Sequence, residues 1–176
     1  MKKMEIKKIE ENKRDYMPLL LLGDEQESMV ERYLDRGDLF ALFDGGLRAV
    51  CVVTREGEGV YELKNLAVDT PFQRRGLGRM LVEFVWNRYQ PQCRTLLVGT
   101  GDSPLTLPFY QACGFVFSHR VANFFLEHYD HPIFEGGRQL VDMVYLKRTA
   151  PGGEEEAPGR ERRRPLPEKR DYAAGR

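Results

Sequence analysis

The chain has 176 residues, enough for one domain with a real core. Hydrophobic residues make up 41% and charged residues 31%, an ordinary balance for a soluble globular protein. Lys plus Arg equals Asp plus Glu at 27 each, so no global field draws in nucleic acid or an anionic membrane.

In chain order, residues 4–9 alternate and predict a first strand. Residues 13–22 predict a short helix with Pro18 in its opening turn. Asp24 and Glu27 have capping-box spacing for a second helix. Met29, Val30, Tyr33 and Leu34 form its apolar stripe, and Gly37 stops it. Residues 39–43, 47–55 and 60–68 then predict an antiparallel meander joined by Gly-rich turns. A helix from residue 76 to about 89 follows, its apolar face built on Leu77, Met80, Leu81, Phe84 and Val85 with Arg88 as polar flank. Residues 95–100 predict a strand parallel to the third meander strand, reached by a right-handed crossover. Residues 106–112 predict a short helix ended by Gly114, and residues 115–121 a strand. Residues 123–138 read as irregular, and residues 140–146 as the strand that closes the sheet.

The domain is therefore set at 1–148. The tail at 149–176 is rich in Pro, Gly and charge, too poor in aliphatics to offset its ordering entropy, and is expected to be disordered. Cys51, Cys93 and Cys113 are odd in number and widely spaced, which predicts buried, reduced thiols. No apolar run reaches membrane-span length and the start lacks a signal-peptide core, so a cytoplasmic protein is expected.

The chemistry concentrates where the third meander strand meets the long helix. Gln73, Arg74, Arg75, Gly76, Leu77, Gly78 and Arg79 span that junction. A helix start leaves unpaired N–H groups, glycines let an anion approach the backbone, and three arginines add full charge. This turn reads as a pyrophosphate cradle. A Walker loop is excluded because no Gly-Lys-Ser/Thr opens the helix, and a dinucleotide loop because its third glycine would stand at Leu81.

The remaining pattern, Gln-x-x-Gly-x-Gly after Asn65-Leu66-Ala67-Val68, resembles the coenzyme A motif of the GNAT (GCN5-related) N-acetyltransferase superfamily. Pro108-Phe109-Tyr110-Gln111-Ala112-Cys113-Gly114-Phe115 is similar to the family's "LYxxxGF" segment. The resemblance implies an α/β (α+β) acyl-CoA fold, a mixed, mostly antiparallel twisted sheet with helices on both faces. It implies acetyl transfer from acetyl-CoA, as co-substrate, to a primary amine by direct attack. Leu66, Ala67 and Val68 would face the pantetheine arm, and the residues from Gln73 to Arg79 the diphosphate. Many relatives carry an Asn near the start of the helix holding Tyr110. Here Asp102 or Ser103 stands in that region, and Ser103 is taken as a cofactor contact.

Two obstacles face such a transfer. A Lys-like amine of pKa near ~10.4 is neutral only about once in ~10³ molecules at pH 7, so a carboxylate must accept its proton. A departing thiolate needs a hydrogen-bond donor, and a Tyr of pKa about 10 stays protonated to provide it. Glu62, in the strand leading to the cradle, is the candidate base, and Tyr110 the candidate acid. The alternatives are an exposed strand carboxylate and a core aromatic packed on Phe109 and Phe115. The segment at residues 123–134 crowds aromatics, His and acids, and His128, Tyr129 and Asp130 are its candidate acceptor-binding residues, with Glu127 and Asp130 drawing in positive charge. Zinc sites favour other spacings than His128, Asp130 and His131 offer, and no metal is expected. A small-molecule amine is the leading acceptor. A protein Lys or N-terminus is the neighbouring reading, and a non-catalytic acyl-CoA sensor the reading from another class. The partners expected are acetyl-CoA and the amine, without nucleic acid or membrane. Exposed sheet edges are where a homodimer would form.

Overall fold

The computed structural model describes residues 3–151. The disorder expected of the tail lies outside the described residues from position 152 onward. One sheet of seven strands organises the chain, in the order β1-β2-β3-β4-β5-β9-β6. The strands are β1 (Glu5–Ile9), β2 (Asp38–Phe43), β3 (Leu47–Gly57), β4 (Val60–Val68), β5 (Thr95–Gly101), β6 (Val116–Val121) and β9 (Met143–Thr149). All neighbours pair antiparallel except β4 and β5, which run parallel. A two-residue hairpin, β7 (Phe134–Glu135) with β8 (Arg138–Gln139), stands apart from it.

Helices α1 (Met17–Gly23) and α2 (Glu27–Leu34) cover one face of the sheet, burying Leu20, Val30 and Leu34 on Leu39, Ala41, Val50, Val52 and Ala67. Helices α3 (Leu77–Arg88) and α4 (Leu107–Ala112) cover the other, where Leu81, Val85 and Tyr110 meet Leu42, Cys51, Leu63 and Leu96. Strand residues alternate between the two faces, so the meander is apolar on both. The apolar face of α3 is rotated from its expected position. Val82 and Trp86 are buried in it, while Met80 is 42% exposed. Trp86 turns inward beneath the Arg148 guanidinium of β9, 4.4 Å from its ring, a contact that local periodicity does not carry.

Three further expectations are corrected. The capping box at Asp24 does not form: α2 starts after Gln26 with no side-chain cap, because the Asp24 carboxylate is engaged elsewhere. Residues 123–138 are not irregular but contain α5 (Phe124–His128) and the β7–β8 hairpin, anchored by Phe124, Phe125, Ile133 and Leu140 against Met29. The last strand begins at Met143 and lies between β5 and β6, so β6 rather than β9 forms the edge. Leu140 does not join it because its N–H donates to Ile133 O and its side chain packs with α5. The same strand runs through Thr149, and Ala150 N–H donates to Arg94 O.

Two irregularities in β4 shape the centre. Leu63 pairs with Val53 and Asn65 with Val52, so Lys64 is an extra residue, a β-bulge. The parallel pairing with β5 spans only Val60↔Thr95 to Leu63↔Val98, after which the two strands separate while β5 continues along β9. The sheet is forked there.

Candidate functional site

The turn between β4 and α3 lies at one end of the fork. A short 3₁₀ turn at Thr70–Phe72 follows β4, and the Gln73 side-chain amide donates to Val68 O at 3.0 Å, folding the turn back on the strand end. Arg74 and Gly76 both adopt positive φ, 62° and 83°. The first intrahelical bond runs from Met80 N–H to Gly76 O, so the amides of Leu77, Gly78 and Arg79 precede the ladder and keep their donors. Gln73, Arg74, Arg75, Gly76 and Arg79 are exposed, and Leu77 is the buried pin beneath them. Phe72 supports the cations, with the Arg48 guanidinium 3.9 Å and that of Arg75 5.3 Å from its ring centre. Open amides, a helix start and arginines fit a diphosphate.

From that turn the fork leads inward to a cleft of about 270 Å³. One wall comes from Lys64, Asn65 and Leu66 of β4, a second from Val98, Gly99, Thr100 and Gly101 of β5 with Thr106 and Tyr110. The third comes from Leu22, Gly23, Asp24, Glu25, Phe125, Tyr129, Ile133, Phe134 and Glu135. Tyr110 is 8% exposed; its ring packs edge-on against Phe109 and Phe115, at 5.0 and 5.7 Å between centres. It is thus both a core aromatic and part of the cleft wall. Burial pushes its phenol well above the ordinary value, with Cys113, Cys51 and Glu135 adding to the shift, so it stays protonated.

Glu62 lies on the α1–α2 side of β4 and is 3% exposed, which removes the exposed-strand alternative. It lines a smaller cavity of about 50 Å³ together with Arg32, Tyr33, Arg36 and Tyr145. Burial raises its carboxyl above the ordinary range, opposed by the ion pair and hydrogen bond with Lys64. The Lys64 ammonium also stands 3.6 Å from Glu56. Glu62 and Tyr110 therefore line different chambers. These meet at Asp24, Leu63, Lys64, Gly99, Tyr129 and Met143, which line both.

Of the acceptor-side residues expected from sequence, Tyr129 reaches the cleft and donates its hydroxyl to Asp24 Oδ1 at 2.7 Å. His128 packs on Phe124, 4.5 Å between ring centres, and Asp130 is exposed with its carboxylate 2.5 Å from His131 Nδ1. Neither belongs to the cleft wall, and nor does Glu127; the acids among the described residues that do are Asp24, Glu25 and Glu135. Sequence reasoning missed all three in this role. Ser103 is fully buried; its hydroxyl accepts from Leu105 N–H at 3.1 Å and donates to Glu135, so it ties the entry of α4 rather than facing the cleft. Asp102 pairs with Arg120 at 3.1 Å. Leu66, Ala67 and Val68 lie on the length of β4 past the fork, paired with β3 but no longer with β5, with Leu66 in the cleft wall. Cys51, Cys93 and Cys113 are all buried free thiols. No helix among the described residues is long and apolar enough to cross a membrane.

An anion cradle feeding a slot between splayed strands, with a phenol and carboxylates inside, suits transfer from an elongated phosphorylated donor to a nucleophile. Comparison with known proteins agrees. Residues 35–117 match the family model of the acetyltransferase (GNAT) domain. YvbK of Bacillus subtilis, described as an uncharacterized N-acetyltransferase, is 36% identical over 149 residues, 83% of this chain and 96% of that protein. A GNAT family acetyltransferase from Elizabethkingia anophelis, solved with acetyl-CoA bound, superposes with a TM-score of 0.79 at 29% identity, over 84% of this chain and 98% of that one. A Bacillus subtilis acetyltransferase solved in complex with CoA gives 0.76 at 35% identity, over 84% and 99%. The mixed seven-stranded sheet is the architecture of these structures.

Proposed function

The chain belongs to the GNAT acetyltransferase family and is an acyltransferase, and from that premise we propose that it moves the acetyl group of acetyl-CoA to a primary amine of a small molecule. The observation that carries this reading is the fork between β4 and β5, which runs from the exposed amides after Gly76 to Tyr110 and the cleft-lining acids Asp24, Glu25 and Glu135. The donor's diphosphate is held by the amides and side chains from Gln73 to Arg79, and its pantetheine arm lies along Leu66, Ala67 and Val68. The bound relatives and the fit of these residues to an anion support that placement.

From the smaller cavity that adjoins the slot, Glu62 acts as the base. It takes the ammonium proton, directly or through water, and its raised carboxyl brings its basicity nearer to that of the amine than an exposed Glu would. The freed nitrogen forms a bond to the thioester carbon as the carbon–sulfur bond breaks, and it sheds its second proton to solvent to give the neutral amide. Tyr110 gives its phenolic proton to the departing sulfur and recovers one from solvent. Attack is direct, without a covalent enzyme intermediate. Burial of Phe124 and Phe125 of α5, and of Ile133 and Leu140 flanking the hairpin, with Met29 of α2 supports a closed pocket, hence a small acceptor rather than a protein Lys or N-terminus. Three buried free thiols support a reducing, cytoplasmic setting.

The test is an amine panel with acetyl-CoA, following free thiol, repeated with Tyr110→Phe. The ring contacts survive that change, so kcat is expected to fall about 10²-fold with CoA affinity retained. Unimpaired turnover would leave Tyr110 a packing residue. CoA binding without thiol release from any amine would instead favour an acyl-CoA sensor, and release with peptides alone a protein acetyltransferase.

A further inference from the structure

Asp24 opens the loop between α1 and α2, and the geometry around it is that of a held charge. Its Oδ1 accepts from the Tyr129 hydroxyl at 2.7 Å and its Oδ2 from the Tyr33 hydroxyl at 3.2 Å. Tyr33 in turn accepts from the Asn65 side-chain amide at 3.0 Å, and that amide also donates to Leu20 O at 2.9 Å. The carboxylate is thus tied to α2, to the bulge in β4 and to the chain after α5 at once. Both hydroxyl donors are neutral, so they orient the carboxylate without cancelling its charge. Glu62, by contrast, shares its charge with the Lys64 ammonium.

Position adds to this. Asp24 lines the cleft that holds Tyr110 and also the smaller cavity that holds Glu62. A nitrogen that is to attack a thioester near Tyr110 and lose a proton toward Glu62 must stand where those two spaces join. We propose that Asp24 binds the ammonium of the incoming acceptor there, and so determines that the enzyme selects cationic amines. This rests on the acetyl-transfer reading above and names the residue that recognises its second substrate. Binding comes first: the acceptor arrives charged, docks on Asp24, and then releases its proton to Glu62.

The charged and titratable groups facing Asp24 come from every element around it. They are Glu25 on its own loop; Arg32 and Tyr33 of α2 and Arg36 just past its end; Glu62 and Lys64 of β4; and Tyr129 after α5. Burial raises the Asp24 carboxyl above its ordinary value and Glu25 adds to the rise, while the two phenols and the Gln26 backbone oppose it. Protonation of Asp24 removes the charge that the ammonium seeks, so acceptor KM rises as pH falls through its pKa. Taking away the Tyr129 hydroxyl removes a bond that favours the carboxylate and moves that rise to higher pH.

The experiment measures kcat and KM for an alkylamine against pH in the wild type, Asp24→Asn, Tyr129→Phe and Glu62→Gln, with CoA affinity by calorimetry. Asp24→Asn is expected to raise acceptor KM about tenfold or more, with CoA affinity unchanged, the loss of one charge-assisted bond. Tyr129→Phe, which keeps the ring, is expected to shift the KM–pH curve upward and gives the answer even where Asp24→Asn fails to fold. Glu62→Gln is expected to act on kcat. An unchanged KM in Asp24→Asn, or an unshifted KM–pH curve in Tyr129→Phe, overturns the assignment. A wild type that releases no thiol with any amine overturns acetyl transfer itself, and is told apart because it appears before any substitution is made.

Discussion

Glu62 and Asp24 share one neighbourhood and differ in their partners. Glu62 is enclosed on β4 beside an ammonium, whereas Asp24 is half-buried and held by two phenols. For Glu62, burial outweighs the Lys64 attraction and its carboxyl is raised in the folded state. Its contribution to folding is therefore complete below the unfolded-state value and is lost as pH rises through the folded one. Glu62→Gln does not titrate, so its stability relative to the wild type is expected to improve over that same rise in pH, read as the difference in Tm between the two proteins. Its kcat, in contrast, is expected to fall about 10²-fold, losing the acidic limb that Glu62 imposes on the wild-type rate. A variant that grows relatively more stable while it loses turnover separates the cost of the buried charge from its use.

Elements carry the donor side. The α3 entry depends on Gly76 at φ 83°, where an added Cβ would meet no neighbour within 4 Å, so substitution there acts through backbone strain alone. Gly76→Ala is expected to cost about 1–2 kcal/mol of local conformation, felt as roughly a fivefold to thirtyfold loss of CoA affinity by calorimetry. Arg74, also at positive φ, makes the turn costlier than its two glycines suggest. This junction was legible in the sequence because strand, glycines and helix period lie within thirty consecutive residues and each acts on its neighbours. The buried stripe of α2, from Met29 to Leu34, was legible for the same reason. Asp24 was not. Its spacing to Glu27 is that of a cap, yet its carboxylate is claimed by Tyr129, 105 positions away, a contact that no local pattern encodes. Trp86 under Arg148, and β9 inserted between β5 and β6, were hidden likewise by sequence distance.

At the scale of the molecule, the proposed donor runs from the α3 entry along the far end of β4 into the middle of the sheet. Ligand that binds only the folded chain stabilises it by mass action, about 2.7 kcal/mol at a hundredfold excess over Kd. For a chain of this size that corresponds to a rise in Tm of roughly 5–10 °C, measurable by calorimetry with acetyl-CoA. Because Arg74, Arg75 and Arg79 are exposed, the rise is expected to shrink as salt is added. A rise indifferent to ionic strength would place the phosphates away from this turn.

The four-residue parallel register between β4 and β5 makes the sheet two half-sheets, β1–β4 and β5-β9-β6, welded along a short seam. Each half keeps its own ladders intact on either side of that weld. The gauge of the slot is therefore set by where the seam stops, at Leu63 and Val98, more than by the side chains that line it. Extending the weld by a few rungs would shut the passage without altering one lining residue.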